Sequence, residues 1–113
     1  MTIDDVIDYM EATDAESWCV DVVRTEDGAG NCFFGHLFGM GRDQQESNLL
    51  WEWFEECWST TYAVYPVNDG KNPEYQQPNP RDRVVAYLRA LRDGDELTTP
   101  ESMERDYLAS IAA

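Results

Sequence analysis

Three cysteines and one histidine are the residues of this chain whose types suit metal binding. They are Cys19, Cys32, His36 and Cys57. Zinc sites commonly combine four thiolate and imidazole ligands, and Cys32 and His36, four residues apart, would share one face of a helix. Structural zinc sites usually draw on closely spaced cysteine pairs, however, and this chain has none. The pattern therefore favours cysteines buried among apolar neighbours, with a zinc site as the alternative.

A thiol–imidazole pair for nucleophilic catalysis would combine His36 with one of these thiols. Such catalysis requires an accessible thiol whose pKa is lowered. The surrounding acidic residues act in the opposite direction, because negative charge favours the neutral thiol. We therefore assign no catalytic residue and no cofactor. A small metalloprotein or hydrolase that uses Cys32, His36 and Cys57 is the alternative function.

Two groups of neighbouring carboxylates have the residue types for acid–base catalysis or for binding a divalent cation. They are Glu52, Glu55 and Glu56, and Asp93, Asp95 and Glu96. Catalysis needs such groups in a cleft, with at least one of them desolvated. Most of these residues fall on the polar faces of predicted helices, so we expect solvated charges. The glycines also lack the spacing of a phosphate-binding loop.

Acidity is the dominant property of the composition. The net charge is -15, from 23 acidic and 8 basic residues, and 14 of the acidic residues lie in residues 1–60. This charge repels phosphate groups, so direct binding to nucleic acid or to an anionic membrane is disfavoured. No apolar run is long enough to span a membrane, and the odd number of cysteines suits a reducing compartment. These features predict a cytoplasmic protein.

Capping signals and apolar periodicity predict the helices that must position these residues. The first helix covers 3–12, with Thr2 as the N-cap and Asp5 completing a capping box. A second, tryptophan-rich helix is predicted from about Asn48 to Thr60, with Ser47 as its cap. A third begins at Pro80 after Asn79 and stops at Gly94. A last helix follows Thr99 and places Met103, Tyr107 and Ile111 on its inner face.

Two short segments rich in β-branched and aromatic residues are predicted as strands, over 18–23 and 62–67. The apolar run 32–40 is predicted as a buried strand that leads into a short helix, and 68–80 as a loop. No repeat or linker divides the chain, so residues 1–113 are expected to form one domain. The predicted fold is α+β and mainly α, with four to five helices around the central tryptophan-rich helix and a small two- or three-stranded β element.

Short motifs spread over residues 17–93 carry a resemblance to a known family. They are Trp18-Cys19, Gly30-Asn31-Cys32-Phe33-Phe34-Gly35, Val67-Asn68-Asp69, and Pro80-Arg81-Asp82 followed by Val84-Val85. With these motifs the chain resembles a family of short proteins from actinobacteria and their phages that is defined only as a domain of unknown function. The resemblance implies a phage or mobile-element accessory protein and implies no activity.

The acidic surface is the leading candidate for function. We expect a small phage-type accessory protein that binds the basic surface of a host protein, as an inhibitor or as a mimic of DNA. The expected binding residues are the acidic faces of two helices and one aromatic anchor: Asp4, Asp5, Asp8, Glu11, Glu52, Glu55, Glu56 and Trp51. A surface that only solubilises the protein is the other interpretation of the same charges.

Overall fold

The structure, a computed structural model, describes residues 1–94 and 100–112, and these residues form helices connected by irregular segments. The helices are α1 (Ile3–Ala12), a 3₁₀ helix (Ala15–Ser17), α2 (Phe33–Gly39), α3 (Gln44–Cys57), α4 (Thr61–Asn68), α5 (Pro80–Asp93) and α6 (Pro100–Ala112). The described residues contain no β-strand, and only two isolated bridges occur, from Trp18 and from Arg24 to Asn31. The predicted α+β fold with a small β element is therefore wrong, and the protein is all-α.

Helices α1 and α5 confirm their predictions because their limits are set by local capping. In α1 the Thr2 hydroxyl accepts a hydrogen bond from the Asp5 amide, while the Asp5 carboxylate accepts one from the Thr2 amide. In α5 the side chain of Asn79 accepts from the Asp82 amide, and Gly94 ends the helix in the left-handed conformation with φ of 73°. The apolar faces of the two helices pack against each other.

Both predicted strands are wrong, each for its own reason. Segment 18–23 is extended in part, but its backbone pairs with the returning residues 30–32 through isolated bonds, such as that from the Cys19 amide to the Asn31 carbonyl, and these form no ladder. Segment 62–67 lies inside α4, where Ala63, Val64 and Val67 are fully buried. Tertiary packing against α5 and α6 therefore outweighs the β preference of the valines. It also outweighs the cost of placing a proline, Pro66, inside a helix.

The helices around the apolar run differ from their predicted limits. No strand precedes α2, which begins directly at Phe33. Helix α3 begins one turn before the predicted start, because the side chain of Asp43 caps it by accepting from the Glu46 amide. Ser47, the predicted cap, is buried instead, and its hydroxyl donates to the Phe38 carbonyl over 2.7 Å.

The core lies around α5 and the phenylalanines of α2 rather than around the tryptophan-rich helix. Helix α5 packs against both α1 and α4, whereas α3 packs mainly against α2. Helix α3 contributes two buried apolar side chains, Leu50 and Phe54, while its tryptophans are only half-buried. The predicted central position of α3 is therefore wrong.

Helix α6 packs against α4 and confirms the predicted last helix. Its predicted inner face is only partly correct, because Met103 is buried but Ile111 is 64% exposed. Its predicted cap, Thr99, lies outside the described residues. Among the helices that the structure describes, none is both long and apolar enough to cross a membrane.

Candidate functional site

The carboxylates of α1 are largely engaged with the protein itself. Asp4 forms an ion pair with Arg92 at 3.0 Å, and Glu11 forms one with Arg89. Asp5 belongs to the capping box, and its hydrogen bonds with Thr2 lower the pKa of its carboxyl. Asp8 is exposed and has no ion pair within the described part of the chain. Among the α1 carboxylates predicted to bind a partner, Asp8 is therefore the one without an ion pair or capping contact in the described part of the chain.

The outward side of α3 is different, and we call the stripe of Leu49, Glu52, Trp53 and Glu56 the α3 acidic face. These residues have the i, i+3, i+4, i+7 spacing that places side chains on one side of a helix. Leu49 is 58% exposed, both carboxylates are exposed, and Trp53 is half-buried at the margin. In residues 1–94 and 100–112 neither Glu52 nor Glu56 has an ion pair or a side-chain hydrogen bond.

The two other residues predicted to bind a partner on α3 have contacts inside the protein. Glu55 accepts a hydrogen bond from the Thr61 hydroxyl and so joins the end of α3 to the start of α4. The Trp51 ring stacks on Phe34 with centroids 4.6 Å apart and also contacts Phe38 at 4.8 Å. One part of the Trp51 surface is therefore occupied by the core.

The thiols and the imidazole do not assemble into the alternative metal or catalytic site. The described residues contain no group of three or more histidine, cysteine, aspartate or glutamate side chains that could hold a metal ion. Cys32 is buried, Cys19 is half-buried, and Cys57 is exposed at the end of α3. Burial raises the pKa of the Cys32 and Cys19 thiols, which favours the unreactive neutral form.

His36 is held by its neighbours rather than by a thiol. Its ring stacks on Trp18 with centroids 4.4 Å apart, and its Nε2 lies 3.2 Å from the carbonyl oxygen of Ser17. Burial lowers the pKa of the imidazole.

The second predicted carboxylate group, Asp93, Asp95 and Glu96, cannot be described as a unit. Asp95 and Glu96 lie outside the described residues, and Asp93 forms an ion pair with Arg92.

Asn68 is the polar centre of the fold. Its side chain is fully buried at the end of α4, where Oδ1 accepts a hydrogen bond from the Phe33 amide at 3.0 Å. Its Nδ2 donates to the Cys19 carbonyl at 2.9 Å and to Oδ1 of Asp69 at 3.0 Å. That same oxygen of Asp69 accepts from the Asp21 amide at 3.1 Å. These bonds attach the irregular segment 18–32 to the helical core.

The sequence offered one signal for this centre, because Asn68-Asp69 is part of a motif that carries the family resemblance. It gave no sign of the partners, which lie 35 and 49 positions away along the chain. The arrangement is supported from α5 by Arg83, whose guanidinium donates to the carbonyls of Val67 and Asn68 at the end of α4. A third bond from Arg83 reaches the Gln77 carbonyl.

A cavity of about 310 Å³ lies beside this centre, and we call it the Tyr65 cavity. It opens between the segment 21–23, the start of α2, the second half of α4 and α6. Its lining residues are Asp21, Val22, Val23, Cys32, Tyr65, Pro66, Asp69, Lys71 and Tyr107. Asp21 stands at its edge with a φ of 66°, in the left-handed region that aspartate adopts more readily than most residues. The lining therefore combines aromatic, aliphatic and acidic groups.

Comparison of the chain with protein-family models, with curated proteins and with solved structures found no match. The resemblance of residues 17–93 to the actinobacterial and phage family stays a prediction. Two regions of the molecule have a geometry suited to binding, the α3 acidic face and the Tyr65 cavity.

Proposed function

We propose that this protein is an acidic accessory protein that binds the basic surface of a host protein, with the α3 acidic face at the centre of the contact. The observation that carries the proposal is the exposed Leu49 beside the carboxylates of Glu52 and Glu56. An exposed apolar side chain supplies contact area, and the adjacent charges select a partner of opposite sign. Trp53 at the margin is of the residue type most often found as an interface anchor.

The distribution of ion pairs favours α3 over α1 as the binding surface. Asp4 and Glu11 of α1 would have to leave Arg92 and Arg89 before binding a partner. Glu52 and Glu56 have no such internal partner to lose within the described residues. The net charge of -15 adds a long-range field that attracts basic surfaces and speeds their encounter. Charges of α1 then contribute to that field rather than to the contact.

The location proposed for this activity is the cytoplasm of a bacterial host. The three cysteines of the chain are free, as expected for thiols kept reduced in that compartment. Inhibition through mimicry of DNA is a special form of the same proposal, since a mimic also binds a basic surface. Competition by duplex DNA for the captured partner distinguishes mimicry from binding at another basic surface.

The test is capture from an actinobacterial lysate by the immobilised full chain. We compare the unmodified protein with the double variant Glu52→Gln/Glu56→Gln and with Leu49→Ala. The matched control is Glu16→Gln/Glu26→Gln, which removes the same charge from two other exposed positions. Each capture is repeated at low salt and at about 0.3 M salt, where screening shortens the range of charge interactions.

We expect a discrete partner that is lost with both α3 variants, retained by the control and weakened by salt. Equal loss with the control variant would show that the total charge matters and the α3 acidic face does not. Capture that is indifferent to salt and to all three variants would overturn the proposal.

A further inference from the structure

We propose that the Tyr65 cavity binds an organic cation, a guanidinium or alkylammonium group on a short aliphatic chain. This site is distinct from the α3 acidic face, and the inference does not depend on the proposed function. It follows from three features of the lining: an acidic group with a free oxygen, aromatic and aliphatic walls, and cations that are engaged elsewhere.

Asp69 supplies the acidic group, and its environment fixes its orientation. The amide of Asp21 and the side chain of Asn68 both donate to Oδ1. In the described part of the structure Oδ2 receives no hydrogen bond. The carboxylate is therefore held by one oxygen, while the other is free to accept from a ligand. A positioned carboxylate of this kind favours a cation that can also donate hydrogen bonds.

The walls suit the remainder of such a ligand. Tyr65 and Tyr107 provide aromatic rings, and cations bind favourably over the faces of such rings. Val22 and Val23 are both exposed at the cavity, where an aliphatic chain would cover them. Burial, with further contributions from negative charges that include Asp69 and Glu55, raises the pKa of Tyr65. The phenol therefore stays neutral, and the surrounding charge is of the sign that attracts cations.

The cations near Asp69 have other partners. Lys71 lines the cavity, but its Nζ lies 3.8 Å from Oδ1 of Asp21, and both side chains are about two-thirds exposed at the mouth. Arg83 feels the negative charge of Asp69, but its hydrogen bonds go to the backbone carbonyls of Val67 and Asn68. Neither forms an ion pair with Asp69. Lys71 therefore competes weakly with a cationic ligand at the mouth of the cavity. Its replacement should raise the affinity for the ligand, whereas replacement of Asp69 should lower it.

The volume restricts the ligand to a small molecule or a single side chain. A cavity of about 310 Å³ is at the lower end of the range for ligand sites. The chemistry is shared by a free amine such as agmatine and by an arginine side chain of another protein. A capped arginine residue serves as the second probe, and its affinity relative to agmatine distinguishes the two sources.

The experiment is an NMR titration of the full chain with agmatine, observing the methyl groups of Val22 and Val23 and the ring of Tyr65. Pentanol is the uncharged control, and pentanoate is the anionic one. We expect saturable shifts with agmatine, with a dissociation constant of about 1 mM, and none that saturate with pentanoate. Pentanol is expected to bind at least about threefold more weakly than agmatine.

Two variants of the lining and one control variant sharpen the test. Asp69→Asn should weaken agmatine binding about threefold to tenfold. The fold should persist, because the amide oxygen can still accept from Asp21 and Asn68. Lys71→Met should strengthen binding about twofold to fivefold, since a competing cation is removed. Arg42→Met removes a cation that does not line the cavity and should leave the affinity within about twofold.

Several results would overturn the inference. They are the absence of saturation up to about 10 mM agmatine, equal affinity for pentanol and agmatine, and unchanged affinity in Asp69→Asn while circular dichroism shows it folded. The inference would also be overturned if Arg42→Met strengthened agmatine binding as much as Lys71→Met does. The gain in affinity would then follow from the net charge of the protein and not from the cavity.

Discussion

At the scale of single residues, buried polar groups hold segment 18–32, which has no regular structure. Segment 18–32 contains no residue in a helix, so its position depends on contacts made by particular side chains. Asn68 bonds to both ends of the segment, at Cys19 and at Phe33 just beyond it. His36 and Trp18 stack beside the 3₁₀ helix. Removal of Asn68 would leave the buried Phe33 amide unpaired, and removal of His36 would take away the contact of its ring with the Ser17 carbonyl.

Replacing Asn68 by alanine should therefore destabilise the fold by about 2–4 kcal/mol, since it leaves the buried Phe33 amide and the Cys19 carbonyl without their partner. Urea denaturation followed by tryptophan fluorescence measures the change. The matched control is Asn48→Ala on the exposed side of α3, expected to lie within about 0.5 kcal/mol of the unmodified protein. Similar values for the two variants would contradict the central role of Asn68.

His36 predicts a dependence of stability on pH. Its pKa is lowered in the folded protein, so the unfolded chain binds the proton more readily. The stability that the neutral imidazole contributes is present above the unfolded value of 6.5 and is lost as the pH falls through the lower folded value. Between about pH 7 and pH 5.5, the midpoint of unfolding should fall more steeply in the unmodified protein than in His36→Gln. Parallel pH curves for the two proteins would refute this assignment.

At the scale of helices, the sequence predicts those elements whose limits are set by nearby residues. The caps of α1 and α5 involve partners three residues apart, and both helices were predicted correctly. Helix α4 could not be predicted, because its valines prefer strands and only its neighbours α5 and α6 make a helix favourable. Two cap residues, Asp43 and Ser47, were available for α3, and the burial that decides between them depends on Phe38.

The same distinction applies to the candidate sites. The exposed positions of Glu52 and Glu56 follow from helical periodicity and were predictable. The pairing of Asp4 with Arg92 joins residues 88 positions apart and was not. The Tyr65 cavity gathers residues from four separate segments, and no local pattern shows that Asp69 and Tyr107 lie near each other.

Two glycines of α2 provide a test of how closely that helix packs on segment 18–32. A Cβ at Gly35 would lie 2.7 Å from the Val23 carbonyl oxygen and 2.8 Å from the Asn31 Cβ, whereas a Cβ at Gly39 would approach only the Tyr9 hydroxyl at 3.3 Å. Gly35→Ala should destabilise the protein by about 1–3 kcal/mol, because backbone must move. Gly39→Ala should be neutral or stabilising by up to about 1 kcal/mol, through helix propensity.

Thermal unfolding of the two variants, measured in one buffer by circular dichroism, gives the comparison. Both changes add the same methyl group to the same helix, so the difference between them isolates the contact with segment 18–32. If the Gly35→Ala protein were as stable as Gly39→Ala, segment 18–32 would be able to move away from the added methyl group with little loss of stability.

At the scale of the whole molecule, the uneven charge of the sequence is partly balanced by folding. Acidic residues of the first half pair with basic residues of the second, as Asp4 does with Arg92 and Glu11 with Arg89. Asp21 and Lys71 pair in the same way across the mouth of the Tyr65 cavity. The net charge of -15 is unchanged by these pairs, so the folded chain concentrates negative charge that the unfolded chain spreads out.

Sodium chloride should therefore stabilise the protein, even though it also screens these exposed ion pairs. Exposed pairs contribute little, while repulsion among the remaining carboxylates acts over the whole surface. Between about 0.02 M and 0.5 M sodium chloride the screening length falls from about 20 Å to about 4 Å, and we expect the melting temperature to rise by about 5 °C. Chloride is preferred to sulfate, because sulfate stabilises proteins by exclusion from their surface.

The double variant Arg89→Gln/Arg92→Gln, two units more negative, should be less stable at low salt and gain more from added salt. A melting temperature that falls with salt would mean that the ion pairs between α1 and α5 outweigh the repulsion, and Asp4 and Glu11 would then be even less available to a partner than Glu52 and Glu56.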